Sequence, residues 1–175
     1  MKALESLRHK LNINAELSGQ EKETNKIINK FLERTNPDVH LRNVGGYGII
    51  AIYKGIEEGK NIMLRADIDG LNIPLMSTDN GQQTTDVFEL SAVSTKCQSS
   101  KYNNQFSHRC GHDGHAAILC GLALYFGKNR PEKGNVILLF QPAEETGEGA
   151  KACLSLFEKE KVDAIYNDVS NMPQT

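Results

Sequence analysis

Leu4, Leu7 and Leu11 recur at the three- and four-residue spacing that lines one side of an α-helix. Ser18 and Glu21 follow as an S-x-x-E capping pattern, and Ile27, Ile28, Phe31 and Leu32 supply an apolar face behind it. Asn36-Pro37-Asp38 ends this helix, because proline disfavours helical geometry in the residue before it. The first 35 residues are therefore predicted to be helical, with a cap at Ser18. Compact apolar runs come next. Gly45-Gly46-Tyr47-Gly48 reads as a turn, Ile49 to Tyr53 as a strand and Asn61 to Ala66 as another, joined tightly through Gly55 to Gly59 as a hairpin.

Residues 75 to 107 are polar and weakly periodic, rich in Ser, Thr, Gln and Asn, with Val87-Phe88-Glu89-Leu90 as a short candidate strand. A loop of that length in a compact domain is commonly functional or disordered. Ala116 to Phe126 is apolar almost all round and is predicted to be a buried helix. Asn135 to Phe140, between Gly134 and Pro142, has the continuous apolar pattern of a strand covered on both faces. Gly149 to Glu160 reads as helix and Val162 to Tyr166 as strand. Strand, helix, strand is a βαβ unit, so the expected fold is α/β: a mixed, largely parallel sheet with flanking helices. No internal repeats are visible.

Composition narrows the function classes. The chain has 175 residues, 39% hydrophobic and 24% charged, as in soluble globular proteins. A net charge of -2 gives no electrostatic reason to expect nucleic acid or an anionic membrane as partner. No run approaches the roughly 20 apolar residues that span a bilayer. The charged start, Met1-Lys2-Ala3-Leu4-Glu5, lacks the apolar core of a signal peptide. Cys97, Cys110, Cys120 and Cys153 are unevenly spaced, which reads as reduced thiols and a cytoplasmic location.

Three clusters carry the candidate chemistry: Arg65-Ala66-Asp67-Ile68-Asp69, Cys110-Gly111-His112-Asp113-Gly114-His115, and Gln141-Pro142-Ala143-Glu144-Glu145. Each falls just after a predicted strand or just before a predicted helix, where open α/β sheets gather their ligands. In the turn before Ala116, Cys110 and His112 can both face one ion. Thiolate, imidazole and carboxylate together suit zinc and related metals. Asp113 stands where it could cap the helix and orient His112. Adjacent Glu144 and Glu145 are costly to bury without a cation or a proton, so one can bind metal while the other acts as general base. Taken singly, each cluster also fits a turn or a solvated surface.

Together, the clusters resemble a known family. Ser107 to His115 is similar to the signature of the hippurate hydrolase and auxin-conjugate hydrolase branch of the aminoacylase/carboxypeptidase metallopeptidase superfamily. Phe140 to Glu145 with Gly149 to Ala152 resembles a second signature, and Leu64 to Leu71 a third. Ala15 to Ser18 and Val44 to Gly48 also have counterparts, so the resemblance runs from about residue 5 to 173. It implies a two-metal amidohydrolase, zinc or manganese, acting on N-acyl amino acids or related conjugates. Cys110, His112 and Glu145 would be metal ligands, Cys110 binding or bridging the ions. Glu144 would be the general base, and Asp69 a supporting catalytic group. Asp67 lies where related branches place a ligand histidine. A metal-activated water would attack the amide carbonyl while Glu144 carries the proton to the leaving amine.

Ser170, in Val169-Ser170-Asn171-Met172-Pro173, stands where the family has a further ligand histidine, and Asn72 replaces a proline. Residues 1–175 would be a truncated catalytic domain, without the inserted dimerisation domain through which the often homo-oligomeric family assembles, and without the later catalytic residues. Two rivals follow. One is a catalytically inactive remnant with a binding role or none. The other is a cysteine-nucleophile hydrolase using Cys110 with His112 or His115.

Overall fold

The computed structural model describes residues 2–73, 106–154 and 161–167. Its elements in chain order begin with α1 (Lys2–Ile13), α2 (Lys22–Leu32), β1 (Val39–Val44), β2 (Gly48–Lys54) and β3 (Glu57–Asp67). A two-stranded ribbon of β4 (Leu71–Asn72) and β5 (Phe106–Ser107) follows, then α3 (His112–Lys128), β6 (Lys133–Gln141), α4 (Gly149–Ala152) and β7 (Ala164–Asn167). The candidate strand at 87–90, Cys97, Ser170 and the later part of the helix expected at 149–160 lie outside the described residues.

The main sheet has the order β1-β2-β6-β3-β7. β6, β3 and β7 run parallel, and β2 and β1 complete the sheet antiparallel to their neighbours. The expected α/β architecture with a mixed sheet is therefore present. The predicted hairpin between 49–53 and 61–66 is not. β6 is inserted between those strands, pairing Ile50 with Leu139 on one side and Leu64 with Leu138 on the other. The actual hairpin joins β1 to β2 through the Gly45–Gly48 turn, with His40 opposite Ala51. Sequence reasoning overlooked β1 because its exposed Arg42 and Asn43 break any apolar run.

β6 is the centre of the domain, as its unbroken apolar run predicts. Leu138 and Phe140 join Ile49, Ala51, Tyr53, Leu64 and Ala66 beneath the helices. Ile137 and Leu139 face the opposite side with Ile50, Ile52, Met63 and Cys153. On the first side α3 lies against α1 and α2, burying Leu119, Cys120 and Ala123 with Leu7, Leu11, Ile28 and Leu32. α3 is not covered all round, for Ile118 and Tyr125 are exposed. No helix among the described residues is long and apolar enough to cross a membrane.

Two expected caps are also corrected. Ser18 and Glu21 do not form a capping box: Ser18 Oγ donates to Asp69, and Glu21 makes no cap bond to α2. Glu16 takes that role instead, its carboxylate accepting the N–H groups of Glu23 and Thr24 at 3.1 and 2.9 Å. Asp113 does not cap α3. It lies inside the first turn and accepts bonds from Arg8 Nε and Asn12 Nδ2, tying α3 to α1.

The approach of α3 to the end of α2 gives a test. A Cβ on Gly127 would come within 2.2 Å of the Thr35 carbonyl oxygen. In an open helix, Gly to Ala stabilises by about 1 kcal/mol. Here Gly127→Ala should instead lower unfolding stability by about 1–3 kcal/mol in urea titration, as overpacking does. A gain in stability would contradict this close approach.

Candidate metal centre

The site lies beyond the carboxyl ends of the parallel strands. Asp67 at the end of β3 is opposite Gln141 at the end of β6, and the N-terminus of α3 lies beside them. Register alone therefore brings the segments after β3 and β6 together, where α/β sheets place their ligands.

Asp69, wholly buried, is the hub. Its Oδ2 accepts the Ser18 hydroxyl at 2.7 Å and the Glu145 N–H at 2.9 Å, while Oδ1 is 3.3 Å from His112 Nδ1. Its backbone carbonyl lies 2.9 Å from the Nδ1 of both His112 and His108. A carbonyl only accepts, so both rings carry their proton on Nδ1 in these bonds. In the neutral tautomer, His112 Nε2 then has its lone pair directed away from Asp69, with Glu144 Oε2 4.0 Å distant.

Around His112 the predicted ligands converge. Cys110, His112 and Glu145 each offer one ligand atom, all within 4.8 Å of one another. Asp67, His112 and Glu144 meet the same criterion, so His112 belongs to both groups. Asp67 is held by Arg65, whose Nη2 and Nε reach the same carboxylate oxygen at 2.6 and 3.1 Å. The fit of a cation rests on this structure's own atoms: soft sulfur, imidazole and carboxylate together, with Glu145 Oε1 buried and lacking a hydrogen-bond partner.

The electrostatics agree with that fit. Burial works against charge on Asp69, yet bonds from His112, the Glu145 amide and Ser18 hold its carboxyl below the usual range. Burial also opposes charge on His112, but the Asp69 carboxylate and carbonyl outweigh it and push the imidazole up to about 9. The bond between Cys110 and Glu145, then burial and the charges of Glu145, Glu144 and Asp69, push the thiol up to about 11. That is the reverse of an activated cysteine nucleophile. A bound cation would favour the thiolate here.

Sequence reasoning singled out Cys110, His112, Glu144, Glu145, Asp67 and Asp69, and the fold brings them together. It passed over the roles of Ser18, Glu21 and His108. His108 is buried against Asp69, and burial lowers its basicity. Glu21 is wholly buried, and Oε1 accepts the N–H groups of Gly19 and Ala143. The available signal was the capping pattern itself, which placed polar groups in an N-terminal segment bridging to Gly70 through Leu17.

Known proteins bear on this geometry. The model of Peptidase family M20/M25/M40 matches residues 63–174. The N-acetylcysteine deacetylase of Bacillus subtilis is 37% identical over 162 residues, covering 92% of this chain and 38% of that protein. The hippurate hydrolase of Campylobacter jejuni is 34% identical over 171 residues, covering 97% of this chain and 39% of that protein. Among solved structures, the Bacillus subtilis YXEP protein is described as a dinuclear metal-binding peptidase of the M20 family. It aligns with a TM-score of 0.74 at 36% identity, over 95% of this chain and 42% of that one. The chain thus spans about two fifths of the length of these relatives.

The His112–Asp69 pair makes a pH prediction for the metal-free chain. His112 is raised from an ordinary 6.5 to about 9, so the folded state holds the proton more tightly than the unfolded state. Its stabilisation is complete below pH 6.5 and is lost as pH rises through 9. Thermal unfolding in chelator should therefore show a decline in Tm across that window, reduced in His112→Gln. Equal declines in both proteins would show that the pair does not carry it.

Proposed function

Since the chain belongs to Peptidase family M20/M25/M40, we propose that it is part of a metal-dependent amidohydrolase that cleaves the amide bond of N-acyl amino acids or related conjugates. The observation that carries this reading is the convergence of Cys110, His112 and Glu145 within 4.8 Å. Residues 1–175 form a portion of the catalytic domain in this proposal. Zinc is the best match to the sulfur, nitrogen and oxygen set, with manganese as the alternative. A reducing, cytoplasmic setting suits a site that needs Cys110 as a free sulfur.

Cys110, His112 and Glu145 would hold the metal. When bound, it would polarise the amide carbonyl and make water more acidic. Glu144 has the part of general base: its side chain is 41% exposed, open to a substrate, and lies beside His112. It accepts a proton from the attacking water and delivers it to the nitrogen as the carbon–nitrogen bond breaks, releasing a carboxylate and an amine. Asp69 keeps His112 in the Nδ1–H tautomer that presents Nε2.

Zinc binding by the chain, followed calorimetrically, tests the assignment. Wild type should bind zinc, and Cys110→Ser should weaken binding about tenfold or more, because a neutral hydroxyl replaces a thiolate. Equal affinities would remove Cys110 from the ligand set. In the catalytic domain, Glu144→Gln should keep the metal and lower amide hydrolysis about 10²–10⁴-fold. Zinc binding without hydrolysis of N-acyl amino acids by the full-length protein would favour an inactive, metal-binding relative.

A further inference from the structure

Glu21 is wholly buried, yet none of the roles above requires it. It does not cap α2, since Glu16 accepts the first-turn N–H groups. A carboxyl group removed from water carries a large penalty unless its bonds compensate. Oε1 accepts Gly19 N–H at 2.9 Å and Ala143 N–H at 2.8 Å, the second from a residue 122 positions away.

Ala143 is where the chain leaves β6 for Glu144 and Glu145. Its φ of 51° lies in the left-handed region, which costs an L-residue roughly 1–2 kcal/mol. Something must hold it there. Its carbonyl accepts the Gly149 N–H at 3.0 Å, and its own N–H goes to Glu21. Two residues on, the Glu145 N–H goes to Asp69. Alternate amides of the turn are thus suspended from two buried carboxyl groups, one on each side of Glu144.

We propose that Glu21 is a positioning residue of the metal centre, fixing the Ala143–Glu145 turn so that Glu145 reaches the ion while Glu144 faces the substrate. This rests on the metal-site reading above. It adds a residue from the N-terminal segment that touches neither metal nor substrate. Burial pushes the Glu21 carboxyl upward, while the bonds from Gly19 and Ala143 act in the opposite direction.

The test compares Glu21→Gln, which keeps an acceptor oxygen, with Glu21→Met, which keeps the bulk and removes it. Cobalt(II) is the probe, its sulfur-to-metal absorption reporting Cys110. The Met variant should bind cobalt about 10- to 100-fold more weakly than wild type, the usual effect of losing an outer hydrogen-bond partner, with Gln restoring most of the affinity. A folded Met variant with wild-type affinity and spectrum would overturn the proposal. Amide exchange in the metal-free chain gives a separate readout. The Met substitution should accelerate exchange at Ala143 and Glu145 about tenfold more than at Leu138, whereas uniform acceleration would mark a merely structural residue and overturn it. If wild type binds no cobalt, the metal reading fails by itself, and local exchange at this turn decides the positioning role. Should the Met variant not fold, Glu21→Asp, one methylene too short to reach both amides, takes its place with the same outcomes.

Discussion

A single buried aspartate ties the functional end of this domain together. Asp69 has no exposure to solvent, and a carboxylate in that position persists only when its lone pairs are engaged. Its side chain takes bonds from the N-terminal segment through Ser18 and from the turn after β6 through the Glu145 amide, beside the His112 ring. Its carbonyl meets both His108 and His112. This one residue therefore ties together three segments distant in sequence and engages Nδ1 of His112, leaving Nε2 as its other nitrogen.

The fold supplies the frame for that hub. Parallel β3 and β6 end at the same level, so Asp67–Asp69 and Gln141–Glu145 must emerge side by side. α3, packed over the same strands, brings Cys110 and His112 to the opening. The result is a set of acidic groups and a thiol crowded around one imidazole. Without a cation the thiol is hard to ionise and the imidazole hard to deprotonate. An ion reverses both tendencies, coupling metal binding to proton release.

Much of this was legible along the chain, for reasons that can be named. β6 announces itself because a strand covered on both faces has no polar alternation to hide it, and the site residues sit where strand patterns stop. β1 was missed because a sheet-edge strand carries Arg42 and Asn43 in the open. Adjacency in sequence predicts a hairpin of β2 with β3, whereas β6, far downstream in sequence, lies between them in the sheet. Ser18 and Glu21 were hidden by a local explanation. An S-x-x-E pattern satisfies a helix end equally well on paper, and only the tertiary structure turns both side chains towards the site.

The proposed metal centre requires that sulfur, imidazole and carboxylate of this chain meet on one ion. X-ray absorption at the zinc edge of the zinc-loaded chain tests this. One sulfur scatterer at about 2.3 Å is expected, with nitrogen and oxygen completing the shell and the sulfur signal vanishing in Cys110→Ser. A shell of nitrogen and oxygen alone in the wild-type chain would contradict it.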